Sequence, residues 1–176
     1  MTTFLAFLRG VNVGGKNKLR MQDLVDLFSA AGCKNVRTYI QSGNVIFTAD
    51  VKLVAKLAAR IAEQIQERFG YQTPVILRTA AQLQSILLNP PFKDSAETLH
   101  VMLLAQVPNA LRVKTLEPHR SPPDEFAVIG QEVYLKLPNG AARTKLTNAY
   151  FDSRLATVST MRNWRTLTKL LEMTPN

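Results

Sequence analysis

Cysteine is almost absent from this chain. The single Cys33 excludes an internal disulfide and any multi-cysteine metal site. With no histidine near it in sequence, it reads as a small packing residue rather than a nucleophile. Histidine is nearly as scarce. His100 sits in an apolar run and His119 in Pro118-His119-Arg120-Ser121-Pro122-Pro123, so no nucleophile–base pair is legible. Long apolar runs are missing too. Phe4-Leu5-Ala6-Phe7-Leu8 stops at Arg9, and Val101-Met102-Leu103-Leu104-Ala105 is strand-sized; both are too short for a signal or a span. The expectation is a soluble, cytoplasmic protein with no membrane partner. Negative charge is short as well: 13 Asp and Glu face 22 Lys and Arg, a net charge of +9. That balance favours phosphate-bearing partners, although many small proteins are basic merely for solubility.

What is present centres on Leu8-Arg9-Gly10-Val11-Asn12-Val13-Gly14-Gly15-Lys16-Asn17-Lys18-Leu19-Arg20-Met21. An apolar run leads in, an amphipathic helix pattern leads out, and the loop between holds four cations and no acid. Gly10, Gly14 and Gly15 allow backbone amides to face a ligand closely. Arg9, Lys16, Lys18 and Arg20 supply charge. Gly10-x-x-x-x-Gly15-Lys16 has P-loop spacing. Against that, Asn17 replaces the metal-holding Ser or Thr, and the helix pattern starts too late to aim its N-terminus at phosphates. A looser anion cradle, or a purely structural turn, fits better.

At 176 residues and 46% hydrophobic content, the chain makes one large domain or two small ones. Periodicity predicts a strand over Thr3–Leu8, a helix over Met21–Ala31, and strands Val36–Gln41 and Asn44–Thr48 joined through Ser42-Gly43. A helix over Val51–Phe69 and a strand over Thr73–Leu77 follow. This is the ferredoxin-like order. It partly recurs: a helix Ala80–Leu88, a linker, a strand Thr98–Ala105, a helix Asn109–Leu116, strands Phe126–Ile129 and Val133–Leu137, then helices Arg143–Arg154 and Thr160–Met173. The predicted class is α+β with duplicated ferredoxin-like subdomains, residues 1–79 and 98–176, joined by a helix and linker at 80–97. In the last helix, Arg162, Asn163, Arg165, Thr166 and Lys169 fall opposite Met161, Trp164, Leu167, Leu170 and Leu171. From Tyr134 to Leu171 seven cations face one acid, Asp152, where a solvated helix face usually mixes both signs.

These stretches together resemble domain-of-unknown-function family 1697, a family of mainly bacterial proteins. The resemblance runs nearly end to end. It rests on Leu8–Asn17 with Met21, on Arg37-Thr38-Tyr39-Ile40-Gln41-Ser42-Gly43-Asn44-Val45, on Asn89-Pro90 with Phe92, on Lys145-Leu146-Thr147, and on Thr160–Thr166. Thr144 stands where the family often has serine, and Pro91 is a second small departure. The resemblance implies a duplicated, ferredoxin-related α+β fold and no particular activity.

Three functional readings remain. The first is a binder of a phosphate-bearing anion, nucleic acid or nucleotide, with no cofactor. In it Arg9, Gly10, Asn12, Gly14, Gly15, Lys16, Lys18 and Arg20 form the loop site. Gln41 and Asn44 add neutral hydrogen bonds, and Tyr39 is the best candidate for stacking. Lys145, Arg162, Asn163 and Arg165 complete the site if the two halves bring them there. The second is a metal-independent enzyme on a small anionic metabolite, its pocket lined by Tyr39, Lys145 and Asn163. No catalytic triad, metal cluster or complete P-loop decides whether the protein is an enzyme. The third is a structural or partner-binding protein. Sheet aromatics of the RNA-binding kind are poorly supported, because Phe4 and Phe7 have opposite parity and Phe47 shares a face with Val45. Oligomeric state is not legible.

Overall fold

The computed structural model describes residues 1–175. Its first half runs β1 (Thr2–Leu8), α1 (Met21–Ala30), β2 (Lys34–Tyr39), β3 (Asn44–Ala49), α2 (Val51–Phe69), β4 (Val75–Thr79) and α3 (Ala80–Leu88). The second runs β5 (Leu99–Leu104), α4 (Ala110–Val113), β6 (Glu125–Ile129), β7 (Glu132–Lys136), α5 (Asn148–Leu155), β8 (Ser159–Asn163) and α6 (Trp164–Glu172). Each half is βαββαβ with one further helix after its last strand. The sheets are four-stranded and antiparallel, ordered β2-β3-β1-β4 and β6-β7-β5-β8. Strand for strand, the two orders are the same. The chain is α+β with duplicated ferredoxin-like subdomains.

Two compact units result: residues up to Leu83 with those from Leu170 on, and Gln84–Lys169. Sequence boundaries at 79 and 98 follow the ends of elements. The division instead falls within α3 and within α6, because each of these helices continues its last strand without a loop.

Local chemistry explains the elements of the first unit. In α2, Leu57, Ile61 and Ile65 recur every fourth residue and are buried, the helical period. The Asp50 side chain caps that helix by accepting from the Lys52 amide. These side chains pack with Leu24, Leu27 and Phe28 of α1 onto Phe4, Val45 and Phe47 of the sheet. Phe47 stacks on Phe4 at 5.8 Å and meets Phe28 at 5.1 Å. Each such ring or branched side chain gains about 1.5–3 kcal/mol on full burial. Phe4 and Phe47 are thus core, and Phe7 is fully buried as well. None of the three offers a ring to a base. The second unit repeats the plan with Met102, Leu104, Val133 and Leu135 against Tyr150, Phe151 and Leu155.

Four sequence expectations are corrected. Residues Ser159–Asn163 are a strand, not the start of a helix. Their pairing with His100–Leu104 completes the second sheet and overrides the helical spacing of Met161, Trp164 and Leu167. Arg162 is therefore buried and Asn163 ends a strand; Thr166 is buried as well. The helix expected over 143–154 starts only at Asn148, where the Thr147 hydroxyl caps it by accepting from the Tyr150 amide. The helix expected over 109–116 shrinks to Ala110–Val113, capped by Asn109. Finally, β2 ends at Tyr39, and Ile40 with φ +51 begins the turn. Gln41 consequently leaves the face that Arg37 and Tyr39 share.

Candidate anion-binding loop

Between β1 and α1 the chain makes a miniature hairpin. Val13 and Lys16 bridge, and the Lys16 amide donates to the Val13 carbonyl at 3.0 Å. Gly14 and Gly15 form its tip at φ +57 and +75, and a Cβ on either would meet nothing within 4 Å. Below the tip the Asn12 amide donates to the Asn17 carbonyl at 3.0 Å, and Asn17 Nδ2 donates to the Gly10 carbonyl at 2.9 Å. The amides of Asn12 and Lys16 are thus committed to the loop itself. Moreover, α1 starts only at Met21, with no side-chain cap from Arg20. Gly10 to Lys16 is a hairpin, not a phosphate-wrapping P-loop.

Asn12 is the loop's organiser. Its Nδ2 donates to the carbonyls of Leu19 and Gln41, each at 2.8 Å, and its Oδ1 accepts from the Leu19 amide at 2.9 Å. Distant residues brace the same loop. Thr73 Oγ1 donates to the Arg9 carbonyl at 2.7 Å, and Tyr71 Oη reaches the Lys18 carbonyl at 3.5 Å. Sequence reasoning missed Thr73 and Tyr71, for no local signal ties them to a loop more than fifty residues upstream. Gly43 seats the base: a Cβ there would lie 2.7 Å from Val11 Cγ2 and 2.8 Å from Leu8 Cβ. Asn44 is fully buried and donates to the Tyr39 carbonyl and to Ser42 Oγ. Tyr39 is half-buried on the sheet face opposite Phe47.

The cations differ sharply in what they are free to do. Arg20 is held by Asp23 through two contacts, both 2.8 Å. That bond holds the Asp23 carboxyl below its ordinary range and raises the Arg20 guanidinium. Lys16 and Lys18 are exposed and form no ion pair among the described residues. Lys18 and Arg20 line a shallow groove of about 500 Å³ with Asn12, Leu19, Gln41, Asp23 and Phe69.

The other candidates lie in the second unit. Lys145 is exposed, and its backbone is held by Ser121 Oγ at 3.0 Å and Arg120 Nε at 3.2 Å. Arg120 in turn sits 4.1 Å from the centre of the Tyr150 ring, a cation–π contact. Asn163 Oδ1 caps α6 by accepting from the Thr166 amide at 2.8 Å. Arg165 pairs with Glu97 at 2.6 Å. Arg162 is 9% exposed, and Nη1 donates to Thr160 Oγ1 and the Met161 carbonyl. Burial pushes its guanidinium down to about 10.

Arg162 has a counterpart that sequence reasoning passed over. In the first unit the amides of Leu8 and Arg9 donate to the carbonyls of Gly43 and Pro74; in the second, those of Leu104 and Ala105 donate to Gln131 and Val158. Superposing these bonds matches Arg78 with Arg162. Both are buried, both donate Nη1 to the preceding carbonyl at 2.9 Å, and both stand one residue before a helix cap. The caps are Thr79, bonded reciprocally with Gln82, and Asn163. Leu77-Arg78-Thr79-x-x-Gln82-Leu83 and Met161-Arg162-Asn163-x-x-Thr166-Leu167 are thus one motif used twice.

A family profile described as a protein of unknown function, DUF1697, matches residues 1–134. The chain belongs to this family. Membership confirms the resemblance carried by the glycine-rich loop and the Arg37–Val45 stretch. A conserved bacterial protein, SP0830 from Streptococcus pneumoniae, has a similar structure at a TM-score of 0.72 and 24% identity, with 98% of each chain covered. That likeness establishes the fold alone. No functionally curated protein matches this DUF1697 chain. Among the described residues, no helix is long and apolar enough to cross a membrane, and no three His, Cys, Asp or Glu side chains gather as a metal ion would need.

Proposed function

We propose that the Arg9–Arg20 loop binds a phosphate-bearing anion, a nucleic acid or nucleotide, with Lys16 and Lys18 as its charged contacts. The observation that carries this reading is the pairing of a rigid, internally bonded hairpin with two exposed lysines that have no acid partner. A flexible loop would lose entropy on binding, whereas this one is preorganised. Asn12 and Gly43 shape it, and Gln41 with Arg20 borders the adjoining groove.

The test is polarisation of a labelled random single-stranded oligonucleotide across a salt series, comparing wild type with Lys16→Ala/Lys18→Ala. Each lost phosphate contact should flatten the slope of log affinity against log salt by roughly 0.7. The double variant should therefore lose about 1.4 while melting as wild type does. Equal binding by both proteins removes nucleic acid from this loop. A second reading, that the family motifs serve the fold, is favoured by Asn12, whose polar atoms all bond backbone. It requires the lysine variant to lose melting temperature instead of affinity.

A further inference from the structure

The turn into β6 holds a carboxylate whose charge its own bonds do not answer. Asp124 is 9% exposed. Its amide donates to the Ser121 carbonyl and its Oδ2 accepts from Ser121 Oγ, both at 2.7 Å. Those bonds shape the turn, and an asparagine would make them equally well. The negative charge is therefore not required by the turn. Among the described residues the carboxylate forms no ion pair, and Oδ1 has no hydrogen-bond partner yet reaches the surface. A carboxylate so far withdrawn from water is costly unless something pairs with it.

Asp124 lines an open cleft of about 460 Å³ in the second unit, within the size range of small-ligand sites. The rest of the lining is partly apolar: Val113, Leu116 and Phe126 belong to the margin of the second core. Glu125 lines the cleft too, but Lys136 holds it at 2.9 Å. Lys114, exposed on the same lining, pairs with no acid among the described residues. Asp124, Glu125 and His119 do not gather closely enough to hold a metal ion. We propose that this cleft binds a small organic cation, an amine on an apolar body. Its ammonium sits on Asp124 Oδ1 and its body lies against Leu116 and Phe126. The charged end supplies the carboxylate's missing partner, and the apolar end covers core margin that the chain leaves open. Every residue of this site belongs to the second unit and none to the Arg9–Arg20 loop, so either proposal can fail alone.

The test is a titration of the isotope-labelled full chain with phenethylamine, followed by backbone amide chemical shifts. Phenylethanol and phenylacetate serve as its neutral and anionic counterparts. Phenethylamine should bind with a Kd on the order of 1 mM and shift amides within residues 113–126. Phenylethanol should bind about tenfold more weakly, and phenylacetate should not saturate. Asp124→Asn keeps the acceptor for Ser121, so it should melt as wild type does while losing about tenfold in affinity for phenethylamine. Lys114→Gln removes the competing cation at an exposed position and should tighten binding about twofold. If Asp124→Asn fails to fold, the phenylethanol comparison and Lys114→Gln decide. No saturable shift with phenethylamine overturns the inference. So does equal affinity for phenylethanol, wild-type affinity in a folded Asp124→Asn, or an unchanged affinity in Lys114→Gln.

Discussion

The two halves share a frame and differ in what they hang on it. In both, the first strand's last residues bond the hairpin turn and the residue before the last strand, and a buried arginine precedes a capped helix. Yet after β1 the first half spends Arg9 to Arg20 on a braced hairpin, while after β5 the second goes from Ala105 straight to the Asn109 cap. The turn opposite records the consequence. Gly43 has no space for a Cβ, because Val11 returns over it. Its counterpart Gln131 carries a full side chain that donates to the Ala105 carbonyl at 2.9 Å. The frame is what the fold needs, and the loop is what the first half adds.

Breaking the frame should have the largest effect. Arg78→Ala and Arg162→Ala each leave a cavity and unbonded carbonyl oxygen, a loss of about 3–5 kcal/mol in urea unfolding. Equal losses would confirm the two positions as equivalents; a tolerated change at one would show that the halves have diverged there. Gly43→Ala should cost about 2–3 kcal/mol from overpacking and positive φ, whereas Gln131→Ala should cost under about 1 kcal/mol. Asn12→Ala should cost about 1–2 kcal/mol and lower binding by loosening the loop. Thr79→Ala and Asn163→Ala, both cap losses, should each cost about 1 kcal/mol.

The smallest expected effect is a pH dependence confined to the second half. Burial holds His100 below its ordinary value of 6.5. Below pH 6.5 the unfolded chain takes up a proton that the folded chain resists. Stability therefore falls as pH drops from 6.5 toward the lowered folded value. His100→Gln should remove that slope from an acid titration of the unfolding midpoint.

Much of this was legible in the sequence, and the failures have physical causes. Val51–Phe69 and Ala80–Leu88 appear with the same ends as α2 and α3, because apolar periodicity and a following Gly70 or Asn89 define them locally. Strand β8 was hidden. Its identity comes from pairing with β5, while its residues also fit a helical stripe that continues into α6. The loop's glycines and charge were readable, but neither its hairpin shape, which takes up the Asn12 and Lys16 amides, nor the bond that takes Arg20 to Asp23, which depends on how the chain enters α1. The repeated arginine motif escaped notice because the first half's longer loop shifts the register between halves along the chain, so no single offset aligns them.

Five left-handed residues, Gly10, Asn12, Gly14, Gly15 and Asn17, lie above a sheet whose ladder is already closed at Leu8 and Arg9. The hairpin is therefore an appendage in the topological sense. Replacing it with the short connection of the other half would break no strand pairing. The family resemblance nonetheless runs through this same loop, Leu8–Asn17, so the strand pairing beneath is not what holds its residues.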